Sequence, residues 1–352
     1  MSALRPLLPP HRPLLVLAPM QDVTDLPFWR VMHRYGGPDL YFTEYFRVHG
    51  DSKPERWILK AIDENPTGRP VVAQIIGQEI PALVRTAKAL QRHPVAAIDL
   101  NLGCPAPIVC RKNAGGGLLR HLGQIEEILK ALRQAVTIPF TVKTRIGFDS
   151  PAEFDALLDL FARHPLDAVS VHGRTVREMY RTEVHYDRIA EAVRRLPCPV
   201  FANGNVLSTR IAEEVARQTG AAGLMIGRGA IRNPWLFEQI RARGEGREAF
   251  VPLRRDLREY IDVLYHEVAS PDFREKDHVS KMKKYLNFVG QGLDADDAFL
   301  KEIRCAATAS DFFSVCDRHL AGTRASDPVP DEPPRRSLLD ARSEQMAGAM
   351  SG

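Results

Sequence analysis

Residues 139–174 read "PFTVKTRIGFDSPAEFDALLDLFARHPLDAVSVHGR", and the pattern changes twice along them. "PFTVKTRIG" is a short run rich in β-branched residues that ends in charge. "SPAEFDALLDLFARH" opens on Ser-Pro and repeats its apolar residues at helical spacing, and "AVSVHGR" is a second short apolar run. A strand, a helix and a strand in this order form the crossover unit of a parallel sheet.

Six more runs of the same kind flank this unit: "LLVLAPM" from Leu14, "LYFTEYF" from Leu40, "PVVAQIIG" from Pro70, "AIDLNLG" from Ala97, "PVFANGNV" from Pro199 and "GLMIGRGA" from Gly223. Most are separated by amphipathic stretches such as "EIPALVRTAKALQRH", "GQIEEILKALRQAV" and "STRIAEEVARQTG". Eight alternating units predict an α/β fold, the (β/α)8 TIM barrel. An open doubly wound sheet would carry a Gly-rich turn after its first strand, where this chain has "APMQDVTD". From about Phe250 only helical patterns follow, in "LRRDLREYIDVLYHEVA", "DHVSKMKKYLNFVGQGL" and "DDAFLKEIRCAATASDFFSVCDRHL". The reading is a barrel over 1–245, a small helical domain over 250–320 and a disordered tail over 321–352, where Pro, Ser and charged residues replace large apolar ones.

Composition narrows the class. A chain of 352 residues, 44% hydrophobic, can bury one large core and a small second one. Its five cysteines show no C-x-x-C spacing, which indicates neither a disulfide framework nor a zinc site and fits a reducing compartment. No apolar run is long enough to span a bilayer, and "MSALRPLLPPHRPLLVLAPM" is interrupted by prolines and arginines, unlike a signal-peptide core. A cytoplasmic, monomeric protein without membrane or metal partners is expected. A net charge of +4, from 48 basic and 44 acidic residues, is too balanced to establish a polyanionic partner by itself.

In such barrels the chemistry lies at the C-terminal ends of the strands. There the chain places Pro19 and Met20, Glu44, Gln74, Asn101 and Cys104, Lys143 and Arg145, His172 and Arg174, Asn203 and Asn205, and Gly227 and Arg228. One polar residue at a strand end is ordinary; convergence at successive ends marks a site. "NGNV" and "IGRGA" follow the last two strands, where barrels often hold a phosphate. "GRGAIR" does not complete a dinucleotide fingerprint. A phosphate anchor, a cation at Lys143 and an amide at Gln74 are the parts a flavin mononucleotide needs, and they would also suit another phosphorylated metabolite.

"APM", "NLGCP" with the following "AGGGLL", "VKTRIG", "VHGRT", "ANGNV" and "MIGRGAIRNPWLF" together resemble the flavin-dependent tRNA-dihydrouridine synthases, and "KMKKYLNF" resembles that family's helical domain. The resemblance implies an FMN-containing barrel that reduces the C5=C6 bond of uridines in transfer RNA with electrons from NADPH. It implies Cys104 as the acid that protonates C5, and assigns Ala18, Pro19, Met20, Gln74, Lys143, His172, Asn203, Gly204, Asn205, Gly227 and Arg228 to FMN. It assigns Asn101 to the target uracil. The third residue of "NGN", often acidic in relatives, is Asn205 here. "TEYFRV", "YRTE" and the Gly-Gly-Gly loop resemble the bacterial position-16 subgroup, although the residues by themselves do not derive which uridine is reduced.

A uracil must leave its stack to reach a barrel mouth, so the RNA must be gripped elsewhere. Candidates are Arg174, Arg177 and Arg181, Arg111 and Lys112 beside the cysteine, and Lys281, Lys283 and Lys284 in the helical domain. "CPAPIVCRKNAGGG" reads as a mobile loop that carries the thiol over the base. Two other readings share parts of this pattern: an FMN barrel reductase of a free pyrimidine or enone, and a non-catalytic RNA-binding module.

Overall fold

The computed structural model describes residues 7–270, 272–294 and 296–333. By internal contact these fall into two compact units: 7–26 with Pro38–Val206 and Arg210–Gly227, and Pro27–Gly37 with Leu207–Thr209 and 228–333.

The first unit is the barrel. Its strands are β1 (Leu14–Leu17), β2 (Tyr41–Phe42), β3 (Phe46–Arg47), β4 (Val71–Ile76), β5 (Ala97–Leu102), β6 (Phe140–Arg145), β7 (Ala168–His172), β8 (Val200–Asn203) and β9 (Gly223–Ile226). All pairings between them are parallel, in the order β1-β9-β8-β7-β6-β5-β4-β2, with β3 also on β4. A bridge from Val16 to Leu40 closes the ring. β2 and β3 are therefore two pieces of one stave, and the barrel has the eight expected. Strands buried on both faces read as continuous apolar runs, which is why alternation was hidden in the sequence.

Side-by-side residues of a parallel ladder face the same way. Register carries one face from Gln74 to Asp99 and Thr141, from Asn101 to Lys143, and from His172 to Asn203 and Met225. Along each strand that face changes character: Val72 precedes Gln74, Ala97 precedes Asp99 and Asn101, Ala168 precedes His172, and Phe201 precedes Asn203. The early residues of the series pack into one apolar cluster with Leu14, Val16, Leu40, Phe42 and Met225, and Leu7 and Leu8 cover it. The late residues are polar and form the mouth.

The second unit is helical. It includes most of Leu26–Arg34 and the helices Arg228–Arg232, Leu236–Gly244, Arg254–Val268, Glu275–Val289, Ala298–Cys305 and Ala309–Leu320. By contact it thus contains two helices between 228 and 245 that the strand and helix count had assigned to the barrel. Phe28 stacks on Tyr285 at 5.8 Å, and Tyr35, Trp235 and Tyr260 form an edge-to-face cluster. Residues 322–333, placed in the tail by composition, are held here through their backbone: Arg232 donates to the carbonyls of Gln291, Pro330 and Asp331, and Val329 N–H to Pro252. A buried guanidinium needs such acceptors, and this one finds them in backbone carbonyls, two of them in a Pro-rich segment. The rest of that tail, 334–352, lies outside the described residues. No helix among the described residues is long and apolar enough to cross a membrane.

Candidate active site

A continuous hydrogen-bond chain crosses the barrel mouth. Thr141 Oγ1 donates to Asp99 Oδ1 at 2.6 Å, Gln74 Nε2 to Asp99 Oδ2 at 2.8 Å, and Asn101 Nδ2 to Gln74 Oε1 at 2.7 Å. Asn101 Oδ1 then accepts the backbone N–H groups of Gly103 and Cys104, each at 2.9 Å. Asp99 is wholly buried, and burial pushes its carboxyl up to about 6 against the pull of Thr141, Gln74 and Lys143. The amides of Gln74 and Asn101, expected on a flavin edge and a uracil, thus bond to each other and to the cysteine turn. Asp99 was not among the expected site residues, although it lies two positions before Asn101 and so on the same strand face.

Lys143 enters the mouth from β6. Its Nζ donates to Asn203 Oδ1 at 3.3 Å, and Asn203 Nδ2 in turn holds the Met225 carbonyl at 2.8 Å. Burial, then the neighbouring Arg145, lowers Lys143 to about 8, while Asp99 and Cys104 oppose the shift. Arg145 is fully buried and ties two loops together. Its Nε donates to the Gly103 carbonyl at 2.9 Å, and its Nη1 to those of Thr175 and Met179 at 2.9 and 2.8 Å.

The segment read as a mobile loop is folded. Pro107–Arg111 is a short helix and Gly115–Arg120 a 3-10 turn, and the Cys104 carbonyl accepts from Gly116 N–H at 3.0 Å. The three glycines are buried because this layer packs on itself. A Cβ on Gly116 would stand 2.8 Å from the Cys104 carbonyl oxygen, and one on Gly117 would stand 2.6 Å from that of Cys110. The glycine run therefore serves close packing behind the cysteine. Burial raises the Cys104 thiol, offset by the Ala106 backbone, the Tyr45 hydroxyl, Arg145 and Lys143. Tyr45 is the second residue the sequence did not mark.

The ends of β1, β7, β8 and β9 bring together most of the remaining candidates of the first unit. Ala18 N–H donates to the Ile226 carbonyl at 2.8 Å, and Gly227 is so close to Met20 that a Cβ would stand 3.1 Å from Sδ. After β8 the chain turns through Gly204 and Asn205, both at positive φ, and the Tyr186 hydroxyl donates to the Gly204 carbonyl at 2.7 Å. His172 lies below that turn, its Cδ2 3.4 Å from a Cβ placed on Gly204. Arg228 opens the second unit.

Arg174 corrects an expectation. It is fully buried, with Nε on the Thr182 carbonyl at 2.8 Å and Nη1 3.4 Å from both His172 Nε2 and Asn205 Oδ1, so it belongs to the interior rather than to an RNA-facing surface. Arg177 and Arg181 are exposed, and Arg177 pairs with Asp149. In the helical unit the three lysines diverge. Lys283 donates to the Arg304 carbonyl at 2.9 Å, Lys281 lies 5.8 Å from the Phe273 ring centroid, and Lys284 is exposed. Asp277 pairs with Arg274 and Glu275 accepts from Ala309 N–H.

Comparison with known proteins agrees with this arrangement. The chain is 37% identical over 228 residues to tRNA-dihydrouridine synthase B of Pseudomonas putida, covering 64% of this chain and 67% of that protein. It is 30% identical over 307 residues to tRNA-dihydrouridine(16) synthase of Haemophilus influenzae, covering 84% and 97%. Among solved structures, histamine dehydrogenase from Rhizobium sp. 4-9 superposes with a TM-score of 0.51 at 15% identity, over 71% of this chain and 48% of that one, which speaks for the barrel fold. Residues 16–321 match the family model described as dihydrouridine synthase (Dus), which spans the strands, the mouth and the helices beyond them: the chain belongs to the dihydrouridine synthase family.

Proposed function

We propose that this protein reduces the C5=C6 bond of a uridine in transfer RNA to 5,6-dihydrouridine, with FMN as resident flavin, NADPH as electron donor and Cys104 as acid. The observation that carries the reading is the Cys104 turn, pinned by Asn101 beside Lys143 at a polar barrel mouth.

The residues fit a flavin mononucleotide on a structural ground. Among the described residues, the one hydrogen bond of the half-buried Lys143 ammonium is the 3.3 Å contact to Asn203, and desolvation lowers it to about 8, so an adjacent anion or strong acceptor would favour its charged form. Lys143 and Gln74 would hold the ring, His172, Asn203, Gly204, Asn205 and Gly227 the phosphate end, and Ala18, Pro19 and Met20 the side under the first strand. When bound and reduced, FMN supplies the hydride that adds to C6.

Cys104 supplies the proton at C5. Burial keeps the thiol protonated at neutral pH, as an acid requires, and Asn101 orients the turn that carries it. The base must be extruded from the RNA to reach this depth. Exposed Arg111, Lys112 and Arg181 are cations of the barrel unit available to grip phosphates, and the helical domain over 250–320, with exposed Lys284, is a second RNA-gripping part. Uridine 16 is the proposed target. The alignment with the position-16 synthase runs over 307 residues, too many for the barrel alone, whereas that with the B synthase covers 228.

The test is anaerobic incubation of the purified protein with NADPH and unmodified transfer RNA, followed by mapping of dihydrouridine and identification of the flavin released on denaturation. FMN and a product at position 16 are expected. A protein that releases no flavin, or that reduces free uracil as fast as transfer RNA, would overturn the reading.

A further inference from the structure

Register sets Gln74 of β4, Asp99 of β5 and Thr141 of β6 side by side, and all three are buried. From Asp99 two carboxamides lead to the cysteine. Gln74 Nε2 donates to Asp99 Oδ2, Asn101 Nδ2 donates to Gln74 Oε1, and Asn101 Oδ1 accepts the N–H groups of Gly103 and Cys104. The two ends of this chain leave one direction open. An ionised carboxylate only accepts, so Gln74 must turn its nitrogen to Asp99 and its oxygen to Asn101. Backbone N–H groups only donate, so Asn101 must turn its oxygen to them and its nitrogen to Gln74. Reversing either amide would set oxygen against oxygen and donor against donor in a buried place, where each unmade bond is costly.

We propose that Asp99 is a positioning residue: its carboxylate fixes the direction of the Gln74 and Asn101 amides and, through them, the turn that presents Cys104. The catalytic consequence rests on the reading of Cys104 as the acid. Asp99 acts at two removes, and the two amides carry its effect. Above about pH 6 its carboxyl is ionised, as the direction of the chain requires, and Thr141 Oγ1 donates to its other oxygen at 2.6 Å. The cysteine turn is held on two sides. Arg145 and the Gly116 N–H hold its carbonyls, on Gly103 and Cys104 respectively, while Asn101 holds its N–H groups. The second hold is the one that Asp99 sets.

Asp99→Asn keeps the shape of the side chain but lets either end of it face Gln74. Adding Gln74→Glu moves the carboxylate one link along, where it can accept from position 99 and from Asn101 and so restores the direction. The experiment follows amide hydrogen exchange of peptides spanning Gly103 and Cys104, in the full chain at equal flavin content, without RNA and well above pH 6. Asp99→Asn is expected to speed exchange there about tenfold, as a charge-assisted hydrogen bond becomes a neutral one, with the helices around the barrel unchanged. The double variant is expected to return exchange to the wild-type rate, a rescue that a loss of packing would not show. Unchanged exchange in Asp99→Asn overturns the proposal, and so does faster exchange that the double variant fails to reverse. None of these readings needs turnover. Wild-type transfer-RNA reduction by Cys104→Ala, with exchange as expected, would overturn the catalytic consequence and the reading of Cys104 while the hold on the turn stands, which separates the two failures.

Discussion

The two ends of the barrel interior are built from the same strands and serve opposite purposes. At one end Leu14, Val16, Phe42, Val72, Ala97 and Phe201 form a dry cluster. At the other, one or two alternate residues further along, Gln74, Asp99, Asn101 and Thr141 form a hydrogen-bonded network around a cysteine turn, with the Lys143 charge near it. The apolar end stabilises by area removed from water, without regard to direction. The polar end is directional, and each group in it is useful because another holds it in place.

The comparison is broken most sharply by one substitution at each end. Cys104→Ala should lower transfer-RNA reduction by about 10²–10⁴-fold, with flavin content and melting temperature close to those of the wild type. Phe201→Ala, on a residue 1% exposed, should lower stability by about 3–5 kcal/mol in a urea titration. If Phe201→Ala instead left the melting midpoint unchanged, the cluster would not be the stabilising end.

A smaller effect tests whether the network carries an electrostatic burden that the cluster lacks. Asp99 is raised from 3.8 to about 6 in the folded chain, so between those values the unfolded chain releases a proton that the native one keeps. This contribution to stability is fully present below about pH 4, declines as pH rises through 6, and is flat above it, while Lys143, at about 8, stays charged throughout the window. The expected decline is at most about 3 kcal/mol. Asp99→Asn should flatten it, as read from urea midpoints between pH 4 and 7. Parallel curves for variant and wild type would mean that Asp99 ionises normally.

The smallest effect belongs to the exposed side chains. Arg181→Gln should leave stability and flavin unaltered, and should reduce the slope of log affinity for transfer RNA against log salt by roughly 0.7 to 0.9. Lys284→Gln is the matching change in the helical unit. Equal slopes for Arg181→Gln and wild type would take the RNA footprint away from that arginine.

What the sequence alone determined is the set of elements and the end of the barrel where chemistry gathers. Apolar runs, helical spacing and Ser-Pro starts act within a few residues, so eight staves, the helices between them and the convergence of Cys104, Lys143, His172 and Asn203 were legible without coordinates. The pairing of polar atoms was decided only by the tertiary structure, because it joins residues far apart in the chain. Thr141 meets Asp99 across 42 positions, and Asn101 meets Gln74 across 27. The same holds for burial: Arg174 and Arg177 differ by three positions in an arginine-rich stretch, yet one is enclosed and the other exposed. The broken second stave shows the reason most directly. A single extra residue between β2 and β3 shifts the pairing of everything beyond it, and that residue is visible only as a mismatch of register between two strands.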